Sequence, residues 1–340
     1  LAAKYKKFMS VSDPDFGDLN ELFNFPKPEA TRVSGGKVLN KIANNMTNLM
    51  SGSADLSPST KTELRGKGYF SPDSREGCNI RFGIREHAMG AICNGIQLHG
   101  GLRIVCSTFF SFSDYMKGGI RMSALMNIPV IYVMTHDSIG VGEDGPTHQP
   151  VEQLIALRSI PDIKVFRPCD GKETAAAYIS AFTQNSPTVI VLSRQNLPQN
   201  RGSGIKALTG GYILEDCGGM PDVLLIGTGS EIELCTDAAQ ALAEQGIKAR
   251  VVSMPCMEEF EKQTEEYKEF VLPKAVKARV CVEAASHFAW YKYSKDYGEV
   301  IAMKSFGTSA PANVLFEHFG FTKDTVVEKA KLSIRNAQND

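Results

Sequence analysis

Short apolar runs alternate along the chain with longer segments in which apolar residues recur every three or four positions. Short runs rich in Val, Ile and Leu are typical of strands buried on both faces, and the longer periodicity is typical of amphipathic helices. In the first part of the chain the predicted strands are LMSGSADL, IRFG, LRIVCSTF, PVIYVMTH and TVIVLSRQ. The predicted helices of the same region are ATRVSGGKVLNKIANNM, REHAMGAICNGIQLHG, SDYMKGGIRMSALM and KETAAAYISAF. This alternation favours a parallel sheet with helices on both faces.

The pattern is interrupted at residues 197–211, where the Gly- and Pro-rich segment LPQNRGSGIKALTGG is typical of a linker. Beyond it, DVLLIGTG, IKARVVSM, ARVCVEAA and EVIAMKSFG continue the series of predicted strands, and residues 230–246 form a predicted helix capped by Gly246. The sequence therefore predicts an α/β fold with two doubly wound, mostly parallel-sheet domains. Their expected bounds are residues 28–200 and 207–340, preceded by a linker remnant at 1–27.

Composition narrows the classes of partner. The 340 residues include 37 basic and 38 acidic side chains, for a net charge of −1. This balance gives no long-range attraction to nucleic acid or to an anionic membrane surface. No segment approaches the roughly 18 apolar residues that a membrane span needs. We therefore expect neither a nucleic-acid partner nor a membrane partner.

The cysteines suggest a cellular compartment for the protein, and the first residues suggest the origin of the chain. None of the eight cysteines forms a CxxC pair or a Cys/His spacing of the zinc type. The expectation is free thiols in a reducing compartment, and hence a cytoplasmic protein. The first residues, LAAKYKKFMS, lack an initiator Met and a signal-type apolar core, and they resemble the middle of a helix. We expect that the chain begins partway through a longer parent.

One loop concentrates reactive side chains directly after a predicted buried strand. Residues 136–150, HDSIGVGEDGPTHQP, combine imidazole, carboxylate and glycine. Ligand sites in open parallel sheets gather at the carboxyl ends of strands, so His136, Asp144 and His148 are candidate site residues. A solvated polar turn and a metal site are the alternatives. The spacing matches no compact metal motif, and no metal ligand is predicted in this chain.

Two other segments carry candidate residues with ordinary structural explanations. The segment RFGIREHAMG places Glu86 in the first turn of a helix, where an acidic side chain also interacts favourably with the helix dipole. In STFFSFSDYM, Phe109, Phe112 and Tyr115 are spaced three residues apart. Residues with this spacing can share one face of a helix or turn, which suits either a core or a pocket.

Several isolated polar residues lie near the ends of predicted elements. Two arginines and a histidine are suited to holding one phosphate group through charge-assisted hydrogen bonds. Their spacing in the sequence does not group them. The residues in question are Arg32, Ser59, His136 and Arg194. In the second domain the one candidate is His287, in EAASHFAWY.

Taken together, these segments resemble transketolase over residues 28–335. The matching segments are GSADLSPS (52–59), FGIREHAM (82–89), STFFSFSDY (107–115), RMSALM (121–126), HDSIGVGEDGPTHQP (136–150) and SRQNLP (193–198). The long loop is the most specific of the six. The chain is also similar to dihydroxyacetone synthase, a related thiamine enzyme. The resemblance implies a pyrimidine-binding domain at 28–200 and a transketolase C-terminal domain at 207–340.

The resemblance also implies how the chain binds half of a thiamine diphosphate cofactor. Glu86 looks like the glutamate that hydrogen-bonds to N1′ of the aminopyrimidine and so promotes loss of the thiazolium C2 proton. Phe109, Phe112 and Tyr115 look like the aromatic pocket around the pyrimidine ring. Asp55, in the SADL segment, looks like a residue at the cofactor and subunit interface.

Substrate contacts follow from the same resemblance. His136 and Asp144 look like contacts to substrate hydroxyl groups. His148 looks like a partner of the cofactor amino group and of a donor-sugar oxygen. The residues that resemble the acceptor phosphate site are Arg32, Ser59, His136 and Arg194.

The reaction implied is transfer of a two-carbon ketol unit from a ketose phosphate to an aldose phosphate by a homodimeric enzyme. In the family, an N-terminal domain with a GDG-type motif binds the diphosphate and Mg²⁺ or Ca²⁺. The nearest strings here, EDGPT and CDGKE, lack the following ligand-bearing helix, so we expect that domain to be missing. The isolated chain is then expected to be inactive.

Three origins of such a chain stay open: a fragment of a full enzyme, the second subunit of a split-gene transketolase, or a relative that has lost catalysis. The starting residues favour the fragment. A non-catalytic dimerisation or interaction module is the alternative from a different functional class.

Overall fold

Two sheets with helices on both faces make up the computed structural model, which describes residues 2–9 and 14–339. The strands of the first part are β1 Glu29–Ala30, β2 Leu49–Ser53, β3 Asn79–Arg81, β4 Arg103–Phe109, β5 Ile131–Thr135, β6 Lys164–Phe166, β7 Thr188–Leu192 and β8 Asn196–Leu197. The helices are α1 Ala2–Met9, α2 Leu19–Leu22, α3 Thr31–Asn45, α4 Ser57–Thr60, α5 Glu86–His99, α6 Ser113–Leu125, α7 Gln153–Arg158 and α8 Gly171–Thr183. Short 3₁₀ turns cover Phe110–Phe112, Ile139–Val141 and Pro146–His148.

The first sheet has six parallel strands in the order β3-β2-β4-β5-β7-β6. Helices α5, α6 and α7 pack on one face, and α3 and α8 pack on the other. Strands β5 and β7 are buried along their whole length, which explains why their sequences are continuously apolar rather than alternating. A separate two-stranded ribbon pairs β1 with β8 in antiparallel fashion.

The second part contains a five-stranded sheet in the order β13-β12-β10-β11-β9. Its strands are β9 Tyr212–Glu215, β10 Val223–Gly227, β11 Ala249–Ser253, β12 Arg279–Ser286 and β13 Glu299–Met303. Its helices are α9 Ile232–Ala243, α10 Met257–Glu261, α11 Glu265–Val271, α12 Tyr291–Ser294, α13 Ala312–His318 and α14 Lys323–Gln338. Edge strand β9 is antiparallel to β11, and the other pairs are parallel. Helices α9, α13 and α14 cover one face, and α10, α11 and α12 cover the other.

Local signals explain where several helices begin and end. Asp170 caps α8 by accepting a hydrogen bond from the backbone N–H of Glu173 at 2.9 Å. Gly246 has a φ of +75° just after α9, the left-handed conformation that glycine adopts without steric cost at a helix end. The predicted fold class of two mostly parallel α/β domains is confirmed.

The structure adds detail that the sequence pattern did not give. Strand β6 has only three residues, too few for a periodicity to be recognised, and it was not predicted. The segment expected to be a linker is packed against the protein: Leu197 and Ala207 are buried, and Ile205–Thr209 forms a 3₁₀ helix. Among the described residues, no helix combines the length and apolarity required to cross a bilayer.

Candidate cofactor and substrate site

The candidate residues collect at the carboxyl edge of the first sheet. Parallel register places the last residues of β4, β5 and β7 level with one another, and β2 ends two residues earlier, with Ser53 opposite Ser107. Asp55, Phe109, His136 and Arg194 lie at or just beyond the ends of these four strands. Strand order therefore brings to one edge residues that are up to 139 positions apart in sequence, from 55 to 194.

Five rings form a continuous row along this edge. The ring centroids of Phe109 and His136 are 3.8 Å apart, and those of Phe112 and His148 are 5.3 Å apart. Phe109 and Phe112 are 6.0 Å apart with an interplanar angle of 16°, and Tyr115 continues the row 6.2 Å from Phe112. Tyr115 is 67% exposed, so the row opens outward at this end. Stacked and edge-on rings at these separations form a surface suited to a planar aromatic ligand.

Glu86 is the first residue of α5 and lies beside this row. Its side chain is buried, and Oε1 accepts a hydrogen bond from Thr108 Oγ1 at 3.1 Å. Thr108 directly precedes Phe109 in β4. Among the described residues Oε2 accepts no hydrogen bond. A buried carboxylate at a helix N-terminus is stabilised by the helix dipole, and here it keeps one oxygen free for a ligand.

A group of basic side chains lies at the His136 end of the row, opposite Tyr115. Arg32 Nη1 donates to the backbone oxygen of Ser59 at 2.6 Å. Burial, followed by the nearby charge of Arg194, lowers the pKa of Arg32. Burial also lowers the pKa of His136 to about 3, with further contributions from Arg32, Arg194 and His148. These mutual effects place the four basic groups in one electrostatic cluster that favours an anion.

Two residues at this edge adopt left-handed backbone conformations. The φ angle is +67° at His136 and +60° at Asp55. Such angles are uncommon outside glycine and cost energy, and strained residues of this kind cluster at functional sites. His136 Nδ1 also lies 2.8 Å from the hydroxyl of Thr135, which is buried. Backbone and side chain of His136 are therefore both held in place.

The structure does not bring every candidate residue inward. Asp55 and Asp144 have exposed side chains, while His148 is half-buried and contacts the Thr147 hydroxyl through Nδ1 at 3.0 Å. His287, in the second domain, packs against the rings of Phe288 and Tyr291. Across the described ranges no group of three or more His, Cys, Asp or Glu side chains is arranged to hold a metal ion.

Sequence reasoning missed a buried ion cluster next to the site. Arg167 follows β6 and is fully buried, and it donates to Asp137, the residue after His136, and to Glu231 of the second domain. An arginine directly after a strand in the FRPCD segment was the available signal. Without knowledge of β6, nothing in the sequence placed it near His136.

The two parts of the chain match two families of domains. Residues 27–200 match the family described as the transketolase pyrimidine-binding domain. Residues 210–322 match the transketolase-like C-terminal domain. The chain belongs to the transketolase family. This confirms the resemblance inferred from the six sequence segments.

Individual relatives agree with the family match. The chain is 47% identical to a transketolase of Halalkalibacterium halodurans over 353 aligned residues, which cover 99% of this chain and 53% of the relative. It is similar to a crystal structure of Pichia stipitis transketolase in complex with sedoheptulose-7-phosphate, with a TM-score of 0.93, 41% identity, and coverage of 99% of this chain and 51% of that one. The chain thus spans about half the length of the relatives that it matches.

A shorter structure shares the fold. A chain described as a split-gene transketolase, in an inactive β4 tetramer, matches with a TM-score of 0.73 and 23% identity. The match covers 90% of this chain and 99% of that chain. At this identity the likeness shows that the two-domain fold is common to both chains.

Proposed function

We propose that this chain supplies the pyrimidine half of a thiamine diphosphate site and the phosphate end of a sugar site in a transketolase. The reaction would transfer a two-carbon ketol unit from a ketose phosphate to an aldose phosphate. The observation that carries the proposal is a row of rings that runs from Tyr115 to His136 and the arginine cluster, with the buried carboxyl group of Glu86 hydrogen-bonded to Thr108, the neighbour of Phe109. A planar cofactor ring suits the row of rings with its carboxyl group, and a phosphorylated sugar suits the arginine cluster.

The residues present fit the cofactor. An aminopyrimidine ring is flat and aromatic, and the half-buried Phe109 and Phe112 and the exposed Tyr115 offer it a surface for stacking. The free Oε2 of Glu86 is available to share a proton with a ring nitrogen, while Thr108 orients the carboxyl group through Oε1. When bound, thiamine diphosphate supplies the stabilisation of the carbanion that forms when the sugar bond breaks. Glu86 would share a proton with a nitrogen of the bound ring through Oε2.

The basic cluster fits a sugar phosphate. Arg32 and Arg194 provide charge-assisted hydrogen bonds, and His136 stays neutral throughout the physiological range because its pKa is lowered to about 3. In the tautomer in which Nδ1 accepts a hydrogen bond from the Thr135 hydroxyl, Nε2 carries the proton and can donate to a substrate oxygen. Asp144 and His148 lie on the same loop and are proposed to contact substrate hydroxyl groups. Ser59 is proposed to complete the phosphate site through its hydroxyl, since its backbone oxygen already accepts from Arg32.

An apolar surface on α5 and α6 supports assembly with a second subunit. Its large side chains are exposed in the single chain, and they are Ile84, Ile92, Leu98, Tyr115, Met122, Leu125 and Met126. Several large apolar side chains exposed on one pair of packed helices are typical of an interaction site in a folded protein. We propose that a homodimer partner covers it. A diphosphate-binding domain, with its Mg²⁺ or Ca²⁺, would complete the active site close to Asp55. A cytoplasmic location is proposed from the eight cysteines, all of which are free.

A mixing experiment tests the proposed function. The purified chain is assayed for ketol transfer with thiamine diphosphate and Mg²⁺, first alone and then with a separately expressed diphosphate-binding domain of a related transketolase. We expect no activity alone and activity after mixing, because each part holds half of the site. Activity of the chain alone would contradict the division of the site. Failure of the mixture to bind cofactor would instead favour an interaction module.

A pair of variants tests the role of Glu86 in the mixture. Glu86→Gln keeps the hydrogen bond from Thr108 but cannot share a proton, and general acid–base groups contribute about 10²- to 10⁴-fold to rate. We expect a loss of ketol transfer of about that size. Glu76→Gln removes an exposed carboxyl group and serves as the control. Equal activity of the two variants would refute the assignment.

The phosphate site is tested by acceptor choice. Arg194→Ala should strongly weaken apparent affinity for phosphorylated aldoses and leave cofactor binding unchanged, since Arg194 lies at the far end of the row. Unphosphorylated acceptors should be affected much less. An equal loss for both kinds of acceptor would contradict a phosphate contact and would leave a related thiamine enzyme, such as dihydroxyacetone synthase, as the better match.

A further inference from the structure

A buried ion cluster joins the two domains directly behind the candidate substrate loop. Arg167 donates to Asp137 Oδ2 through Nε at 3.0 Å and through Nη2 at 2.8 Å. The same guanidinium group pairs with Glu231 and donates to Thr228 Oγ1 at 3.0 Å. Asp137 belongs to the substrate loop of the first domain, and Glu231 and Thr228 belong to the second domain. One side chain therefore connects the loop to the second domain.

The cluster is sealed from solvent and tightly packed. Arg167 and Glu231 have no exposed surface, and Asp137 is 2% exposed. A Cβ atom at Gly229 would lie 2.7 Å from the guanidinium carbon, so the backbone of the second domain approaches it as closely as a glycine allows. Glu231 also accepts from the backbone N–H of Ala284 at 2.9 Å. Breaking one partner of a buried pair leaves an uncompensated charge, so such clusters have few alternative arrangements.

The position of Asp137 gives this cluster a functional consequence. It directly follows His136, whose φ of +67° is a strained conformation that the surroundings must maintain. A second contact ties the middle of the same loop to the same domain: Ser309 Oγ donates to the backbone oxygen of Glu143 at 2.8 Å. The second domain thus holds the loop both next to His136 and in its middle.

We propose that Arg167 is a positioning residue that lets the second domain hold His136 in its substrate-facing conformation. This assigns the second domain a role that is separate from its candidate residue His287. For substrate binding the inference rests on the proposed function. For the conformation of His136 it stands on the contacts alone.

Two substitutions break the connection at different points. Arg167→Lys keeps the positive charge but loses the planar guanidinium group, which hydrogen-bonds to Asp137 and Glu231 at the same time. Glu231→Gln keeps the shape of the side chain in the second domain and removes its charge. The matched control is Glu173→Gln, because Glu173 is also a fully buried carboxyl group that crosses to the second domain. It accepts from Tyr212 at 2.7 Å and also from Ser253, and it makes no contact with Asp137.

The test has one readout on the chain and one on the assembled enzyme. The imidazole signals of His136 are followed by NMR in each variant chain. In the mixture with the diphosphate-binding domain, KM for a phosphorylated aldose is measured against kcat. Arg167→Lys and Glu231→Gln should both shift the His136 signals and raise KM about tenfold, because misplacement of a contact by about an ångström has large kinetic effects. Glu173→Gln should do neither, even where it lowers stability.

The outcomes separate the two proposals. Unchanged His136 signals in both Arg167→Lys and Glu231→Gln would overturn the positioning role. Shifted signals with no binding of sugar phosphate by the unaltered protein would uphold the positioning role and overturn the proposed function. If Arg167→Lys does not fold, Glu231→Gln decides the question, since it keeps Arg167 and removes the charge with which the second domain holds it.

Discussion

The burial of His136 beside two arginines predicts a specific dependence of stability on pH. Its side chain is 3% exposed, and its pKa is lowered to about 3 by burial and by the charges of Arg32, Arg194 and His148. A histidine in an unfolded chain titrates near about 6.5. Below that pH this histidine binds a proton in the unfolded chain but not in the folded chain. The stabilising effect of a neutral His136 is therefore complete above about pH 6.5 and is lost progressively as the pH falls toward 3.

The size of the effect follows from proton linkage. Each pH unit between the two pKa values changes the free energy of unfolding by about 1.4 kcal/mol. Lowering the pH to about 5 therefore removes up to about 2 kcal/mol through His136 alone, and screening of the exposed Arg194 by salt reduces this to about 1–2 kcal/mol. The best variant for comparison is His136→Asn. Asparagine tolerates the left-handed φ of this position and does not titrate.

Urea unfolding of the chain and of His136→Asn at pH 7 and pH 5 checks the prediction. Other groups titrate in both proteins, so only the difference between them reports His136. The unaltered chain should lose about 1–2 kcal/mol more than the variant over this interval. His99→Asn, which removes an exposed imidazole at the end of α5, is the control and should follow the unaltered chain. Equal losses in the chain and in His136→Asn would show that His136 is not held neutral by its surroundings.

Three further predictions follow from contacts described above. Thr108→Val removes the hydrogen bond to Glu86, and we expect a 2- to 10-fold loss of ketol transfer in the mixture, the equivalent of about 0.5–1.5 kcal/mol. Leu125→Glu places a charge on the apolar surface of α5 and α6, and analytical ultracentrifugation should show loss of the proposed dimer without unfolding of the subunit. Gly52→Ala would place a Cβ atom 2.4 Å from the backbone oxygen of Ile80, and thermal unfolding should reveal destabilisation of more than about 2 kcal/mol.

The first of these has a refuting outcome, and the other two have matched controls in the chain. An unchanged reaction rate in Thr108→Val would contradict an orienting role for the threonine. Leu19→Glu adds the same charge at an exposed leucine of α2, outside α5 and α6, and it should leave the proposed dimer intact. Gly95→Ala meets no atom within 4 Å and lies inside α5, so it should stabilise the isolated chain by up to about 1 kcal/mol.

Several strands and loops of this protein could be predicted from the sequence because they depend on local periodicity. Continuous apolar runs predicted β5, β7 and β10, since a strand buried on both faces admits few polar side chains. Polar residues directly after such runs predicted which loops would lie at the carboxyl edge, and His136 and Phe109 lie there. Motif agreement predicted the family. The three-residue strand β6 was not predicted because a period cannot be recognised in so few positions.

Only the tertiary structure decided which distant residues meet. Arg32 and Ser59 are joined by a hydrogen bond, and Arg194 is added to them because β7 lies next to β5 in the sheet. The contact of Arg167 with Asp137 and Glu231 requires the second domain to be docked in one orientation. Hydrophobic patterning sets which face of an element is buried, whereas strand order and the pairing of buried charges set which elements become neighbours. For that reason the sequence determined the elements and the family, and the packing of the two domains determined how the site is held.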